Sequence, residues 1–308
     1  MPSPYGELTV IVNPHAGRRH VAEEIPELER TLQARDLPYR LLRTEGPGDA
    51  VRFARDALEG GSRFIVAVGG DGTVHEVVNG MIVDDRPVVE NAVLGVVAAG
   101  SGCDFVRTFG LPGDATRACL HLTGDNTHPF DVGKVTYIDA EGERRVRYFA
   151  NVAEAGLGAA VAARAEKLPP GLGQTKYFFS FWLTLPRYKL AQVIVRADEH
   201  VYEGPGLMVI LGNCQYYGGG MKVSPHSYPG DGVLDVLIYK GPKSDSFMLL
   251  PKVYRGEHIP HPHIDELRVK HELHVEADRP LPVEADGEVI GFTPATFEVI
   301  PGALLMKL

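Results

Sequence analysis

The 308-residue sequence predicts an α/β domain built on a parallel sheet, followed by a β-sandwich-like C-terminal domain. Two observations carry this expectation. Up to about residue 127, apolar runs of strand length alternate with segments of helical period, which is the pattern of βαβ units. Beyond that point come short, often alternating runs cut by Gly, Pro and Asp turns, the pattern of an antiparallel sandwich. The length allows two domains with cores of ordinary size. The expected division is 1–127 and 128–308, with the last strand available to return to the first domain.

The elements follow in order. LTVIVNP (Leu8–Pro14) is an apolar, β-branched strand that ends in a turn. VAEEIPELERTLQARD reads as a helix, because Val21, Ile25, Leu28 and Leu32 recur at i, i+4, i+7 and i+11. PYRLLRT (Pro38–Thr44) is a second strand. GDAVRFARDALEGG is a second helix with Val51, Ala54 and Leu58 on one stripe and glycines as its stop. RFIVAVGG and VLGVVAAG (Val93–Gly100) are nearly continuous apolar strands, as expected where helices cover both faces of a sheet. After Pro129 the strand runs are FDVGKVTYI, RRVRYFANVA, QVIVRADEHVYEG, GLMVILGN, GVLDVLIYK, ELRVKHELHVEA and ATFEVIPGALLMKL. Helical segments interrupt them near Gly158–Lys167, Phe178–Lys189 and Ser246–Tyr254.

Composition excludes several classes. A net charge of −9 argues against non-specific nucleic-acid binding and against a polybasic membrane anchor. Cys103, Cys119 and Cys214 are widely spaced with no CxxC, so neither a zinc knuckle nor a disulfide framework is expected, and a reducing cytoplasm is the simplest home. MPSPYGELTVIVNP has neither the basic nor the apolar region of a signal peptide. No apolar run approaches the ~18 residues that span a bilayer, so membrane contact is expected to be peripheral, at the inner face.

The segment VAVGGDGTVHEVVNG (Val66–Gly80) carries the chemistry. A buried strand delivers the chain to Gly69, Gly70 and Gly72, which let a ligand approach the backbone closely. Thr73 and Glu76 form a T-x-x-E capping box, which places the helix start near Thr73. Unpaired amides and the helix dipole make that start an anion site. Asp71 beside it would repel phosphate unless a cation such as Mg²⁺ lies between. The loop is not a Walker A motif, since GxxxxGK[ST] is absent. Nor is it a Rossmann fingerprint, since His75 stands where the third glycine belongs.

GGDGTVHEVVNG resembles the signature of the diacylglycerol kinase catalytic domain superfamily, which includes sphingosine, ceramide and bacterial lipid kinases. NPHAG (Asn13–Gly17), GSGCDFVRTFGLP (Gly100–Pro112), GGGMKVSPHSYPGDGVLDV (Gly218–Val236) and EADGE (Glu284–Glu288) resemble its other motifs, in family order. The resemblance implies an NAD kinase/diacylglycerol kinase-like α/β nucleotide-binding domain and a β-rich substrate domain. It implies ATP contacts from Asn13, Pro14, His15, Thr44, Gly70, Asp71, Gly72, Thr73, Val74, His75, Glu76 and Ser101. Ser101 stands where the family usually has Thr, and Cys103 where it has Asn.

The same resemblance implies Glu288 as the base that takes a proton from an alcohol, with Asp71 placing Mg²⁺ or assisting. By residue type alone, EADGE is equally a turn with solvated acids, or a turn that sets Asp286 and Glu288 on one side. PGDGVLDV is either a plain hairpin turn or, by resemblance to bacterial members, a structural Mg²⁺ loop using Tyr228, Asp231 and Val233.

Two further stretches stand out. HIPHPH (His258, His261, His263) fits no zinc spacing and reads as a solvated loop. YFFSFWLTLPRYK (Tyr177–Lys189) reads first as a core stripe and second as an interfacial helix. Glu154 is given no role.

The expected activity is ATP- and Mg²⁺-dependent phosphorylation of a lipid hydroxyl, on a diacylglycerol-like or sphingoid acceptor at a membrane surface. The alternatives are a kinase for a soluble substrate such as NAD, against which stands the lack of an N-E pair after the glycine turn, and a non-catalytic nucleotide-binding regulator. No motif specifies the acceptor or an oligomer.

Overall fold

The computed structural model describes residues 3–16, 20–99, 103–113, 117, 119–169 and 175–308. The chain forms two compact units: Met1–Val132 with Pro229–Asp231 and Ile300–Leu308, and Gly133–Tyr228 with Gly232–Val299.

The first unit is α/β. Strand β1 (Leu8–Val12) pairs in parallel with β2 (Tyr39–Arg43) on one side and β3 (Phe64–Gly69) on the other. Strand β6 (Val93–Ala98) runs parallel to β3, and the end of the last strand, β17 (Glu288–Lys307), pairs in parallel with β6 through Leu305 and Met306. β1, β3 and β6 are buried along their whole length, as the continuous apolar runs predict. Helices α1 (His20–Ala34), α2 (Asp49–Glu59) and α3 (Asp71–Met81) connect the strands, and a two-residue hairpin, β4 (Ile82–Val83) and β5 (Arg86–Pro87), precedes β6.

Val21, Ile25, Leu28 and Leu32 of α1 all join the core of this unit. On α2 the buried stripe is Ala50, Ala54, Ala57 and Leu58, whereas Val51 is only half-buried. This corrects the expected stripe. The helix turns small side chains toward α3, so the two helix backbones approach closely. A Cβ at Gly80 of α3 would lie 2.3 Å from the Val51 carbonyl oxygen.

The returning tail is pinned by polar contacts. The Gly302 amide donates to Asp131 at 2.7 Å, and Lys307 donates from Nζ to the Asn126 carbonyl at 2.8 Å.

The second unit is β-sandwich-like. One antiparallel ladder runs β14 (Ile264–Val269), β13 (Leu234–Tyr239), β12 (Met208–Gly212), β9 (Val152–Gly156), β16 (Pro282–Ala285) and the start of β17. The other runs β11 (His200–Gly206), β10 (Ala191–Ala197), β15 (Glu272–Ala277) and a later stretch of β17. β7 (Thr127–Ile138) pairs with β8 (Arg144–Phe149) and β17. Phe149, Val193, Val209, Val236, Val275 and Phe297 are among the residues that fill the core between them.

Several single apolar runs prove to be two strands. QVIVRADEHVYEG is the β10–β11 hairpin, and ELRVKHELHVEA is β14 followed by β15. Both bends depend on Asp198, which has a positive φ of 46° and whose carboxylate accepts amides from Lys270 and His271.

Helix α4 (Asp104–Thr108), unexpected from the sequence, follows the glycine segment after β6. The other helices are α5 (Leu157–Glu166), α6 (Thr175–Thr184) and α7 (Asp245–Val253). α6 stops short of the expected Lys189, two residues before Pro186, which cannot donate to a helix ladder.

Candidate functional site

The parallel register places the expected nucleotide residues of the first unit at one edge. Val12 is level with Arg43 and with Val68, and Gly69 is level with Ala98. Asn13, Thr44 and Gly70 therefore follow three adjacent strand ends, and Ala99 follows the fourth. Their backbones continue the ladder: Asn13 N–H to Val68 O at 3.1 Å, Thr44 N–H to Val12 O at 2.9 Å, Ala99 N–H to Gly69 O at 3.1 Å. Ligands of open α/β sheets gather outside such carboxyl ends. The Asn13 side chain accepts the His15 amide at 3.0 Å, which shapes the Asn13–Pro14–His15 turn. His15 is exposed and Thr44 is buried. Ser101, with its flanking glycines Gly100 and Gly102, lies outside the described residues.

The glycine turn differs from expectation in its cap. α3 begins at Asp71, with extended Gly70 as N-cap and no side-chain cap bond. Thr73 folds back instead, so a Cβ at Gly69 would lie 2.4 Å from its hydroxyl oxygen. Glu76 reaches away and accepts the Ala50 amide at 3.1 Å, near the start of α2. The capping box is therefore not formed, because the helix begins two residues before Thr73 and Glu76 is engaged at the start of α2. The amides of Thr73 and Val74 both donate to Gly70 O. By position, Asp71 and Gly72 supply the first-turn amides without intrahelical acceptors. Val74 and His75 are each 1% exposed, so neither presents its side chain to solvent.

Asp71 holds the turn to the segment after β6. Its carboxylate accepts the Asp104 amide at 3.0 Å, the Phe105 amide at 2.9 Å and the Cys103 thiol at 3.4 Å. It thus caps α4 from another element, which a sequence-local search for caps cannot find. Burial, and then the neighbouring Asp104 carboxylate, push Asp71 up to about 6 against the pull of those amides. Burial, and then Asp71, push the Cys103 thiol well above its ordinary range, so it remains a neutral donor.

In the second unit the EADGE turn separates its two acids. Asp286, at φ 50°, accepts the amides of Ala150, Asn151 and Val152 at 2.9, 2.8 and 3.2 Å. Glu288 opens β17 and is exposed. The expectation that both face one side is corrected, because the left-handed Asp286 turns inward to cap the β8–β9 corner. Of the proposed metal loop, Tyr228 and Asp231 are exposed and Val233 is half-buried.

Sequence reasoning missed one polar cluster. Glu154 of β9 is directly opposite Glu284 of β16, and both are buried. Glu154 accepts the Gly158 amide and the Tyr217 hydroxyl, the latter at 3.1 Å. Burial pushes Glu154 up to about 7, and burial with the facing Glu154 holds Glu284 well above the carboxylate range. Glutamates on alternate strand positions give no local signal, since only register makes them neighbours.

A parallel sheet whose glycine turn opens a helix at its carboxyl edge, with a β-sandwich-like unit, is an NAD kinase/diacylglycerol kinase-like architecture. Residues 7–135 match the diacylglycerol kinase catalytic domain, and residues 151–307 match the YegS C-terminal NAD kinase beta sandwich-like domain. The chain belongs to the diacylglycerol kinase catalytic domain superfamily and is a kinase with an alcohol group as acceptor.

Among relatives, it is 29% identical over 290 residues to a diacylglycerol kinase of Staphylococcus haemolyticus, covering 94% of this chain and 84% of that one. It is 28% identical to a diacylglycerol kinase of Bacillus subtilis, covering 94% and 91%. A crystal structure of a Bacillus anthracis protein assigned as a diacylglycerol kinase superposes with a TM-score of 0.78 at 26% identity, covering 99% of this chain and 97% of that one.

Two outcomes are expected. Asp71→Ala removes the cap of α4, so the Asp104 and Phe105 amides should exchange with solvent about tenfold faster, equivalent to about 1.4 kcal/mol; Asp71→Asn should retain part of the protection. The second concerns pH. Burial lets Glu154 keep its proton to about pH 7 when folded, against an ordinary value of 4.5. Its contribution is therefore complete below about pH 4.5 and is lost as pH rises through about 7, on the order of 3 kcal/mol. Denaturant melts from pH 5 to 8 should show this decline, and Glu154→Gln should flatten it. An equal slope in the variant contradicts the assignment.

Proposed function

We propose that the protein transfers the γ-phosphoryl group of ATP, with Mg²⁺, to a hydroxyl of a diacylglycerol-like or sphingoid lipid. The observation that carries this reading is the glycine turn, with Asp71, at the shared carboxyl edge of four parallel strands. The first-turn amides of Asp71 and Gly72 suit phosphate oxygens, and Asn13, His15 and Thr44 flank them on neighbouring strand ends.

The donor set beside them fits a hard cation. Asp71 stands against Asp104, and this like-charge neighbour is part of what raises its proton affinity. A divalent ion of oxygen preference relieves that conflict, and Asp71 still has lone pairs beyond those its amide partners use. When bound, Mg²⁺ would neutralise charge on the phosphate tail. Glu288 is exposed, and its carboxylate suits the task of accepting the alcohol proton as the oxygen attacks phosphorus. Tyr228, Asp231 and Val233 are assigned to a second, structural Mg²⁺ through resemblance alone.

A lipid acceptor is supported by the surface of the second unit. Phe178, Phe179 and Leu183 of α6 are 55%, 49% and 45% exposed, which corrects their reading as core. Phe247 and Met248 of α7 are still more exposed, and Trp182 packs on Phe247 with centroids 4.9 Å apart and planes tilted by 35°, so the two helices form one aromatic face. Arg187 and Lys189 are exposed just beyond α6. An apolar face with basic neighbours suits the interface of an anionic bilayer. Among the described residues no helix is long and apolar enough to cross a membrane.

The reading is tested by incubating purified protein with ATP and a total lipid extract, with NAD in parallel, and identifying phosphorylated products by mass spectrometry. A phospholipid product is expected; phosphorylated NAD alone would overturn the lipid assignment. Glu288→Gln should bind ATP within a few-fold of wild type while kcat falls about 10²–10⁴-fold. Phe178→Glu combined with Phe247→Glu should abolish co-sedimentation with anionic vesicles and lower turnover of vesicle-borne lipid, leaving turnover of a monomeric short-chain acceptor unchanged.

A further inference from the structure

The proline–histidine loop before β14 and the start of α7 are far apart in sequence yet meet in the second unit. One ligand atom from each of Asp245, His261 and His263 lies within 4.8 Å of the others. The loop is preformed. His261 to Ile264 close a turn through Ile264 N–H to His261 O at 3.0 Å, with Pro262 at the position where its fixed φ favours such a turn. The Lys240 amide donates to His263 O at 3.0 Å and ties the turn to the chain ahead of α7. The turn brings the two imidazoles to a centroid separation of 5.5 Å. Asp245, the first residue of α7, meets His263 Nδ1 with Oδ2 at 2.6 Å. Gly241 admits this meeting, since a Cβ there would lie 2.5 Å from Asp245 Oδ2 and 2.7 Å from His263 Cβ.

We propose that Asp245, His261 and His263 form a surface binding site for a divalent transition-metal ion, with Zn²⁺ the fitting example. Two imidazoles and one carboxylate are a borderline donor set, suited to Zn²⁺, Ni²⁺ or Cu²⁺ and poorly suited to Mg²⁺. Ligands at about 2 Å in tetrahedral geometry require the Asp245–His263 hydrogen bond to give up its proton and open by about 0.7 Å, with water in the fourth position. His263 is 46% exposed and Asp245 15%, so one side is open for an ion to enter and the other is held by backbone. The separation of these residues along the chain explains why HIPHPH matches no spacing pattern: the third ligand comes from a helix that begins 16 positions before His261. The bound ion would clip the start of α7, the helix that carries exposed Phe247 and Met248, to the loop before β14. The site stands apart from the proposed kinase chemistry and does not rest on it.

Isothermal titration of the full-length, tag-free protein with Zn²⁺ tests the proposal, alongside Co²⁺ titration followed by its visible absorption. One equivalent of Zn²⁺ is expected to bind per chain, undiminished by millimolar Mg²⁺, with a tetrahedral Co²⁺ spectrum. His261→Ala and His263→Ala should each weaken binding by at least about 10–100-fold, and Asp245→Asn should weaken it measurably. His226→Ala, at an imidazole paired with Glu266 elsewhere in the unit, should leave it unchanged. Zn²⁺ should raise the melting temperature of wild type but not of the His261→Ala/His263→Ala double variant, whose circular dichroism reports that it is folded. Equal binding by the double variant, or no saturable binding by wild type, overturns the proposal.

Discussion

Parallel, in-register pairing of β1, β2, β3 and β6 is the constraint on which the first unit depends. Strand length and pairing bring four chain segments to one edge, although residues 13, 44, 70 and 99 are far apart in sequence. β1, β3 and β6 are buried along their length, so a one-residue slip would turn apolar side chains of a whole strand onto the wrong helix layer. The helices on the sheet enforce the register, α1 with large aliphatic residues and α2 with small ones. The chemistry of the edge is thus a consequence of hydrophobic packing elsewhere.

Acidic side chains do three different jobs here, and their surroundings decide which. Asp71, Asp198 and Asp286 each collect backbone amides and lock a turn or helix start to a distant segment. Such bonds to an ionised carboxylate are stronger than those between neutral groups. Glu154 and Glu284 face one another in the buried interior and therefore hold protons. Glu288 is exposed at the start of β17. Asp71 combines two of these circumstances: it caps α4 and sits beside a second carboxylate. A group held in place by amides while its charge is disfavoured by a neighbour is well arranged to meet a cation.

The second unit shows how packing distributes aromatic residues. The α6 segment has the composition of a core helix, yet only Ser180 and Thr184 are buried on it. Phe181 and Trp182 contact the cluster beneath, and Phe178 and Phe179 are exposed. Trp182 meets Phe247 of α7, so exposed rings from two helices become one surface. Single exposed aromatics are unremarkable on soluble proteins, whereas a contiguous apolar face marks an interaction site.

The sequence by itself determined the two-part architecture, the order of the β–α units, the α1 core stripe and the glycine turn. These are legible because periodicity and turn chemistry act over a few neighbouring residues. The tertiary structure alone decided that Asp71 caps α4, that Thr73 and Glu76 do not form a box, that Val51 yields its place to Ala50 and Ala57, and that Asp286 parts from Glu288. It also decided that Glu154 meets Glu284 and that Asp245 meets two histidines. Each of these depends on strand register, helix packing or contact between segments that are not neighbours in sequence. A hydrogen-bond donor or a buried charge selects its partner by position in space, and that position exists only once the sheets have formed.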